Sequence, residues 1–256
     1  MARMSVAYFA LMLLGTSSTI AQQPVSQDQP IRVAGHFYLE RSNDGFGIRS
    51  HGIIEKTTSG SKFYPLPQSS LEKYKQLRPA DFKNMGSYLL KAENYQGQEV
   101  IGPYQTEGNR IWFGNQYYDG EGDCGVGAFG YFDMQTCKYV LYSPRSVARW
   151  EISALLVEPE TVWLGLDHFG EDISTAPGGL IRWDRNSHRV QHYPLEFIVQ
   201  HLRRDKDHSS TLVLTTPKGY ALFQNGQVRR FRVEQTPDGR RIAVSIKRFP
   251  PAPSLY

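Results

Sequence analysis

Three shortages bound what this chain can be. Cysteine occurs only twice, at Cys124 and Cys137, which excludes a disulfide-dense scaffold and a thiolate zinc site. Neither sign of charge dominates: 29 basic against 25 acidic side chains leave a formal +4, too little to imply a polyanionic partner. Long apolar runs are missing beyond the N-terminus, so no later segment has the length of a membrane span. A Gly-rich phosphate loop, a serine nucleophile elbow and a His-Glu-x-x-His zinc helix are absent too. An enzyme reading therefore has no motif of its own to stand on.

What is present begins with a leader. Arg3 precedes the apolar run Val6 to Leu14, and Thr19-Ile20-Ala21 puts a small residue at a cleavage position, so residues 1–21 read as a cleaved signal peptide. Residues 22–31, rich in Gln and Pro, read as a flexible leader. The expectation is an exported protein, periplasmic or secreted, with no membrane span and no nucleic acid as partner. Export places Cys124 and Cys137 in an oxidising compartment, where a disulfide forms if geometry allows. With Tyr131 to Asp133 and Cys137 to Tyr142 as a hairpin, Cys124 lies about eight residues, or roughly 25 Å, back along the extended chain. A bridge needs the glycines at 122, 125 and 127 to fold the loop back; otherwise the two thiols stay separate.

From Arg32 onward the pattern is one of short strands and turns. Glu160 to Leu195 holds three in succession: Thr161-Val162-Trp163-Leu164-Gly165, then Gly178-Gly179-Leu180-Ile181-Arg182-Trp183-Asp184, then Arg189 to Leu195. Ile111-Trp112-Phe113-Gly114 repeats the first strand 51 residues earlier, and Tyr131-Phe132-Asp133 repeats the second at the same offset. A fainter copy runs from His36 to Leu66. Another runs from Leu212 to Val233, with Val213 in the tryptophan position and Asn225-Gly226 as a hairpin turn. Between the first two copies, Ser69 and Glu72 have capping-box spacing, and Leu71, Tyr74 and Leu77 follow at helical intervals until Pro79. A short helical insertion near 69–78 is expected.

A repeat near 50 residues built of strands alone predicts an all-β fold, a small β-propeller, because one four-stranded sheet cannot bury both faces without neighbours. Trp112 and Trp163 are then packing residues between blades. Arg241 to Phe249 is a strand without a blade of its own; placed in the first copy it closes a ring of four. Five blades follow if residues 80–105 hold a degenerate one. The propeller domain spans 32–249, and Pro250-Pro251-Ala252-Pro253 begins an extended tail, 250–256.

The run Val162-Trp163-Leu164-Gly165 followed by Gly178-Gly179-Leu180-Ile181-Arg182-Trp183-Asp184 resembles a blade of the two-component-regulator propeller repeat, and similar blades occur in virginiamycin B lyase-like propellers. The likeness is good in this blade, partial at 111–133 and faint at 36–66 and 212–233. It implies a propeller and, by analogy, ligand sensing or partner binding; no catalytic motif of the family maps onto residues here.

The repeat places the loops after each second strand on one side. They hold Asn43 and Asp44; Tyr117, Tyr118, Asp119, Glu121 and Asp123; and Asp167, His168, Glu171 and Asp172. Asp119-Gly120-Glu121-Gly122-Asp123 alternates carboxylates with glycine, a pattern that lets oxygens converge on a hard divalent cation such as Ca²⁺. It lacks the sixth-position Gly and twelfth-position Glu of a helix-loop-helix calcium site. A solvated Gly-rich loop is the plain alternative. Asp167, His168, Glu171 and Asp172 suit either acid/base or metal-ligand chemistry, or simply cap strand ends. A basic set, His201, Arg203, Arg204, Lys206, Arg229, Arg230, Arg232, Arg240 and Arg241, loads the last copy. It suits either an anionic surface partner or charge protection of outer edge strands.

The function expected from these residues is that of an exported, non-enzymatic β-propeller that binds an unknown ligand or envelope protein through its acidic loop rim. Its cofactor is either none or a divalent cation such as Ca²⁺. The alternative is a metal-dependent hydrolase or lyase acting at the same rim.

Overall fold

The structure is a computed structural model and describes residues 29–43, 48–84, 95, 97–117, 125–167, 178–236 and 238–249. Residues 1–28 and 250–256, and with them the expected signal peptide and tail, lie outside the described residues. Nearly all regular structure is antiparallel strand, in four large sheets that follow one another along the chain.

The first sheet takes β1 (Ile31–Ala34) and β2 (Phe37–Leu39). A small hairpin of β3 (Ser42–Asn43) and β4 (Ile48–Arg49) leads to β5 (Gly52–Thr57) and β6 (Gly60–Pro65), giving the order β1-β2-β5-β6. Its missing strand is therefore β1, which begins inside the stretch read as leader. Two helices follow, α1 (Leu71–Leu77) and α2 (Pro79–Asn84). The N-cap of α1 is Ser70, whose hydroxyl accepts from the Lys73 amide, one residue later than the capping-box spacing predicts. Ser69 is engaged elsewhere, its amide on the Glu99 carboxylate and its hydroxyl on Tyr95. Pro79 ends α1 and opens α2, as suits a residue whose fixed φ and missing N–H fit a first helical position.

The second sheet is β7 (Val100–Glu107), β8 (Arg110–Gln116), β9 (Phe129–Asp133) and β10 (Lys138–Tyr142); the third is β11 (Glu151–Val157), β12 (Thr161–Asp167), β13 (Gly179–Asp184) and β14 (Val190–Tyr193). Residues 100–107 thus pair with β8 and do not found a fifth unit. The fourth sheet has five strands in order: β15 (His201–Arg204), β16 (Leu212–Thr216), β17 (Gly219–Gln224), β18 (Gln227–Gln235) and β19 (Arg241–Ile246). The C-terminal strand expected to complete the first sheet is therefore the outer strand of the fourth. Ile242 faces Glu234 and Ile246 faces Arg230 across an uninterrupted ladder. Asn225 and Gly226, at φ 50° and 79°, make the predicted two-residue turn between β17 and β18.

Apolar clusters join neighbouring sheets. Phe37, Leu39 and Ile53 meet Ile111, Phe113 and Phe132 between the first and second. Trp112 and Phe129 meet Ile152, Leu164 and Trp183 between the second and third. Trp163 and Leu180 meet Leu212, Leu214 and Phe223 between the third and fourth. Both tryptophans are core residues between sheets, as the repeat predicts. Among the described residues no such cluster joins the first sheet to the fourth, and no helix is long and apolar enough to cross a membrane.

The 51-residue repeat extends further than its apolar positions. Trp112 donates its indole N–H to Glu107, and Trp163 donates to Glu158. An arginine from the next sheet grips each glutamate with two hydrogen bonds, Arg185 on Glu107 at 2.7 and 2.9 Å and Arg204 on Glu158 at 2.6 and 2.6 Å. The same guanidiniums lie over the indoles, at 4.9 and 5.9 Å. Asp133 and Asp184 accept from backbone amides in the turns that follow them, and Cys137 and His188 adopt positive φ of 53° and 57° in those turns. Cys137 is a free thiol and sits at the opposite end of β9 from Gly125, while Cys124, the other half of the bridge considered from the sequence, lies outside the described residues.

Candidate functional site

The expected rim sits where β8 and β12 end. Tyr117 is the last described residue before segment 118–124, and Asp167 the last before segment 168–177. Both flank one side chain. The Tyr117 amide donates to Glu151 Oε1 at 2.8 Å, and Glu151 stands directly opposite Asp167 in the β11–β12 ladder. Withdrawal from water pushes the Glu151 carboxyl up to about 7; the Asp167 charge adds to this, while the Tyr117 amide and the Arg49 guanidinium oppose it. Arg49 closes β4, so the separate β3–β4 hairpin, inserted between strands of the first sheet, also reaches this carboxyl electrostatically.

The root of segment 118–124 is held rigidly on its far side. Asn115, buried in β8, spans the returning chain: its amide nitrogen donates to the Val126 carbonyl at 2.8 Å and its oxygen accepts from the Ala128 amide. Buried Glu99 accepts from the Val126 amide at 3.0 Å and from Ser69 at 3.2 Å, which ties the loop to the start of α1. Arg78, between the helices and 6% exposed, donates to the Gly125 carbonyl at 2.8 Å, pairs with Asp81 and lies 5.6 Å from the Tyr117 ring. Gly125 has no room for a side chain, because a Cβ there would overlap the Tyr117 ring. The helical insertion thus clamps the base of the most acidic loop. Each carboxylate of the clamp is paired by amides or a guanidinium, as burial requires.

Asp119, Glu121, Asp123, His168, Glu171 and Asp172 lie outside the described residues, as does Asp44. Asn43 lies in β3 and Asp167 at the end of β12. Among the described residues no group of three His, Cys, Asp or Glu is placed to hold a metal ion. Sequence reading missed Glu151, Glu99, Arg78 and Arg49. Glu151 and Glu99 each stand at the head of an apolar strand, beside Ile152-Ser153-Ala154 and Val100-Ile101, a position where the neighbours withdraw a carboxylate from water. That was the available signal.

Four of the nine basic residues read together in the last sheet are engaged within the molecule. Arg204 grips Glu158, Arg232 pairs with Glu234 and Arg240 with Asp238, and Arg230 lies over Phe197 at 5.6 Å. Since β19 covers β18, Arg230 and Arg232 do not guard an edge; the outer strand is β19, with Arg241 exposed.

No family model matches the chain, and no curated protein matches it. Among solved structures it is similar to the extracellular domain of a putative one component system from B. thetaiotaomicron, with TM-score 0.43 and 13% identity over 76% of this chain and 21% of that one. It is also similar to the extracellular domain of a putative hybrid two component system from the same organism, with TM-score 0.33 and 9% identity over 80% of this chain and 32% of that one. The chain therefore spans about a fifth to a third of the structures it matches, and neither score establishes a common fold.

Proposed function

We propose that residues 32–249 form an exported β-propeller of four blades that binds a ligand through the acidic loops rooted beside Glu151 and performs no covalent chemistry. The observation that carries this reading is the approach of two loop roots to one half-buried carboxyl: Tyr117 is bonded to Glu151 and Asp167 faces it. Sheet-to-sheet packing through Trp112 and Trp163 supports the propeller, with each of these second strands turned towards the next sheet. The rim then gathers Asp119, Glu121 and Asp123 on one loop with Asp167, His168, Glu171 and Asp172 on the other. A divalent cation such as Ca²⁺, or a ligand that carries one, fits so many oxygens.

Thermal unfolding in EDTA and then in Ca²⁺, Mn²⁺ or Zn²⁺ tests the reading. Saturation at a hundred times the dissociation constant stabilises the fold by about 2.7 kcal/mol, a rise of several degrees. Asp119→Asn and Asp167→Asn are expected to abolish the rise. A melting temperature indifferent to every ion retires the cation and leaves a protein partner, sought by capture from envelope extracts.

The alternative, a metal-dependent hydrolase or lyase at the same rim, draws on Glu151 itself. A half-buried carboxyl pushed up to about 7 exchanges its proton near neutrality, as a general acid or base must. Under that reading Glu151→Gln leaves the ion-induced rise intact and removes turnover of any substrate found by screening.

A further inference from the structure

The charge of the chain is not spread evenly. Residues 227–249, the β18–β19 hairpin and its exit, hold seven Arg or Lys against two carboxylates, a formal +5. The whole chain carries +4, so everything outside this hairpin is close to neutral. Alternation along the strands sorts the hairpin's side chains onto two faces. Leu212, Leu214, Ala221 and Phe223 turn to the third sheet, Val228 packs beside them, and Arg230 lies over Phe197 on that side. Arg229, Phe231 and Val233 therefore turn the other way, in line with Val213, Leu222 and Tyr220.

This outward face is a plane of arginines around an apolar centre. Arg203 stands opposite Val213, Arg229 opposite Leu222, and Arg241 opposite Gln235 on the outer strand; all three are exposed. Tyr220 and Phe231 stack between them at 5.0 Å, and Val233, 48% exposed, follows on the same strand. No side chain that β15 to β19 turn to this face is acidic. Asp205, just past β15, lies 3.6 Å from His208 and accepts from the Asp207 amide. Among the described residues Arg229 and Arg241 have no ion-pair partner, and Arg203 reaches the carbonyl of its neighbour Arg204. Arg232, on the opposite face, pairs with Glu234, and Arg240, in the turn, with Asp238. No apolar cluster among the described residues covers the outward face.

We propose that this face docks on an anionic lipid surface, its arginines on headgroup phosphates and Phe231 and Val233 at the boundary of the acyl region. A planar sheet matches a planar bilayer, and cations interleaved with apolar side chains match its two layers. Guanidiniums are suited to phosphate oxygens. A soluble acidic polymer engages the arginines alone and leaves Val233 in water. The proposal rests on the order of strands in the fourth sheet and not on the acidic-rim reading.

Co-sedimentation with vesicles tests it, using the chain from Gln22 onward so that the apolar run Val6 to Leu14 is not what binds. Saturable binding is expected to vesicles of one part phosphatidylglycerol in three parts phosphatidylcholine, weakened by added salt, with none to phosphatidylcholine alone. Each arginine at such a surface contributes about fivefold, so Arg229→Gln with Arg241→Gln is expected to weaken binding about thirtyfold. Arg232→Gln with Arg240→Gln removes the same charge away from the face and is expected to change binding less than about twofold. Val233→Ser is expected to weaken binding without altering its dependence on salt. Arg229 and Arg241 are exposed, and an unchanged melting temperature verifies that their variant keeps the fold. No binding to the anionic vesicles, equal losses in the two double variants, or binding to polygalacturonate or to a second copy of the chain in place of vesicles overturns the proposal.

Discussion

Glu151 is the residue on which the site turns, and its titration gives it a signature. Its folded pKa of about 7 lies above the ordinary 4.5, so the fold holds the proton more tightly than the unfolded chain does. The stability this contributes is complete below about pH 4.5 and is lost as pH rises through 7. Glu151→Gln keeps the oxygen that accepts from Tyr117 and has no charge to desolvate. The variant is expected to match wild type near pH 4.5 and to exceed it at pH 8 by about 3 kcal/mol, since the gap between 4.5 and about 7 is worth about 1.4 kcal/mol per pH unit. Urea unfolding at the two pH values measures this, and an equal difference at both contradicts it. Gly114 gives a prediction of another kind. A Cβ there would overlap Ile152 of the neighbouring sheet, so Gly114→Ala is expected to cost about 2–3 kcal/mol by overpacking, measured by the same unfolding.

Residue-scale legibility was uneven. The sequence pattern placed Trp112, Trp163 and the Asn225-Gly226 turn, because apolar spacing and turn chemistry act locally. It read Asp133 and Asp184 as part of a repeat without their task, which is to accept turn amides. It weighed Cys137 as half of a disulfide. The 51-residue offset to His188, which shares its positive φ, shows that the position is set by the turn.

At the scale of elements, the second and third strands of each sheet were legible and the first strands were not. β7 contains Gly102 and Pro103, which break a strand pattern, and the ladder skips them between Ile101 and Tyr104. β11 skips Ser153 at the equivalent place, between Ile152 and Ala154. These bulges spoil the alternation that marks a strand from sequence. In β11 the freed Ser153 hydroxyl donates to the Val199 carbonyl of the chain leading into the fourth sheet, at 2.8 Å. The glutamates that join sheets were likewise unread, since a lone carboxylate near a turn has no pattern until its arginine is seen.

The two Trp–Glu–Arg junctions make a prediction at this scale. The arginines hold the Glu107 and Glu158 carboxyls well below the usual carboxylate range, and each pair joins separate sheets. A fully buried pair loses about 3–5 kcal/mol when one partner is removed; with Arg204 at 33% and Glu158 at 19% side-chain exposure, about 2 kcal/mol is expected for Glu158→Gln. Adding Arg204→Met is expected to cost little more, since the partners act together, and a double-mutant cycle reads the coupling. Additive losses contradict a junction.

For the whole molecule, four sheets share three apolar interfaces among the described residues, and their order in space follows their order in sequence. That is why the architecture was legible: a repeat whose copies touch only neighbours writes its period into the chain. The closing strand was misplaced because Arg241–Ile246 alternates as well against β18 as against any other strand, and periodicity does not name a partner. The acidic loops were legible as composition, in Asp119 to Asp123 and Asp167 to Asp172. The residues that meet at their roots were not, because Glu151, Arg78 and Glu99 come from distant segments that meet only on folding.

The central claim is that the two acidic loops converge over Glu151, and one distance tests it most directly. Nitroxide labels at Gly122→Cys and Gly170→Cys, in a background of Cys124→Ser and Cys137→Ser, report the separation of loops 118–124 and 168–177. With roots beside one carboxyl and chains that reach at most about 3.5 Å per residue, converging loops are expected to hold the labels within about 20 Å, closer still in Ca²⁺. A separation beyond about 30 Å, unchanged by Ca²⁺, means that the loops point apart, and contradicts a shared binding rim.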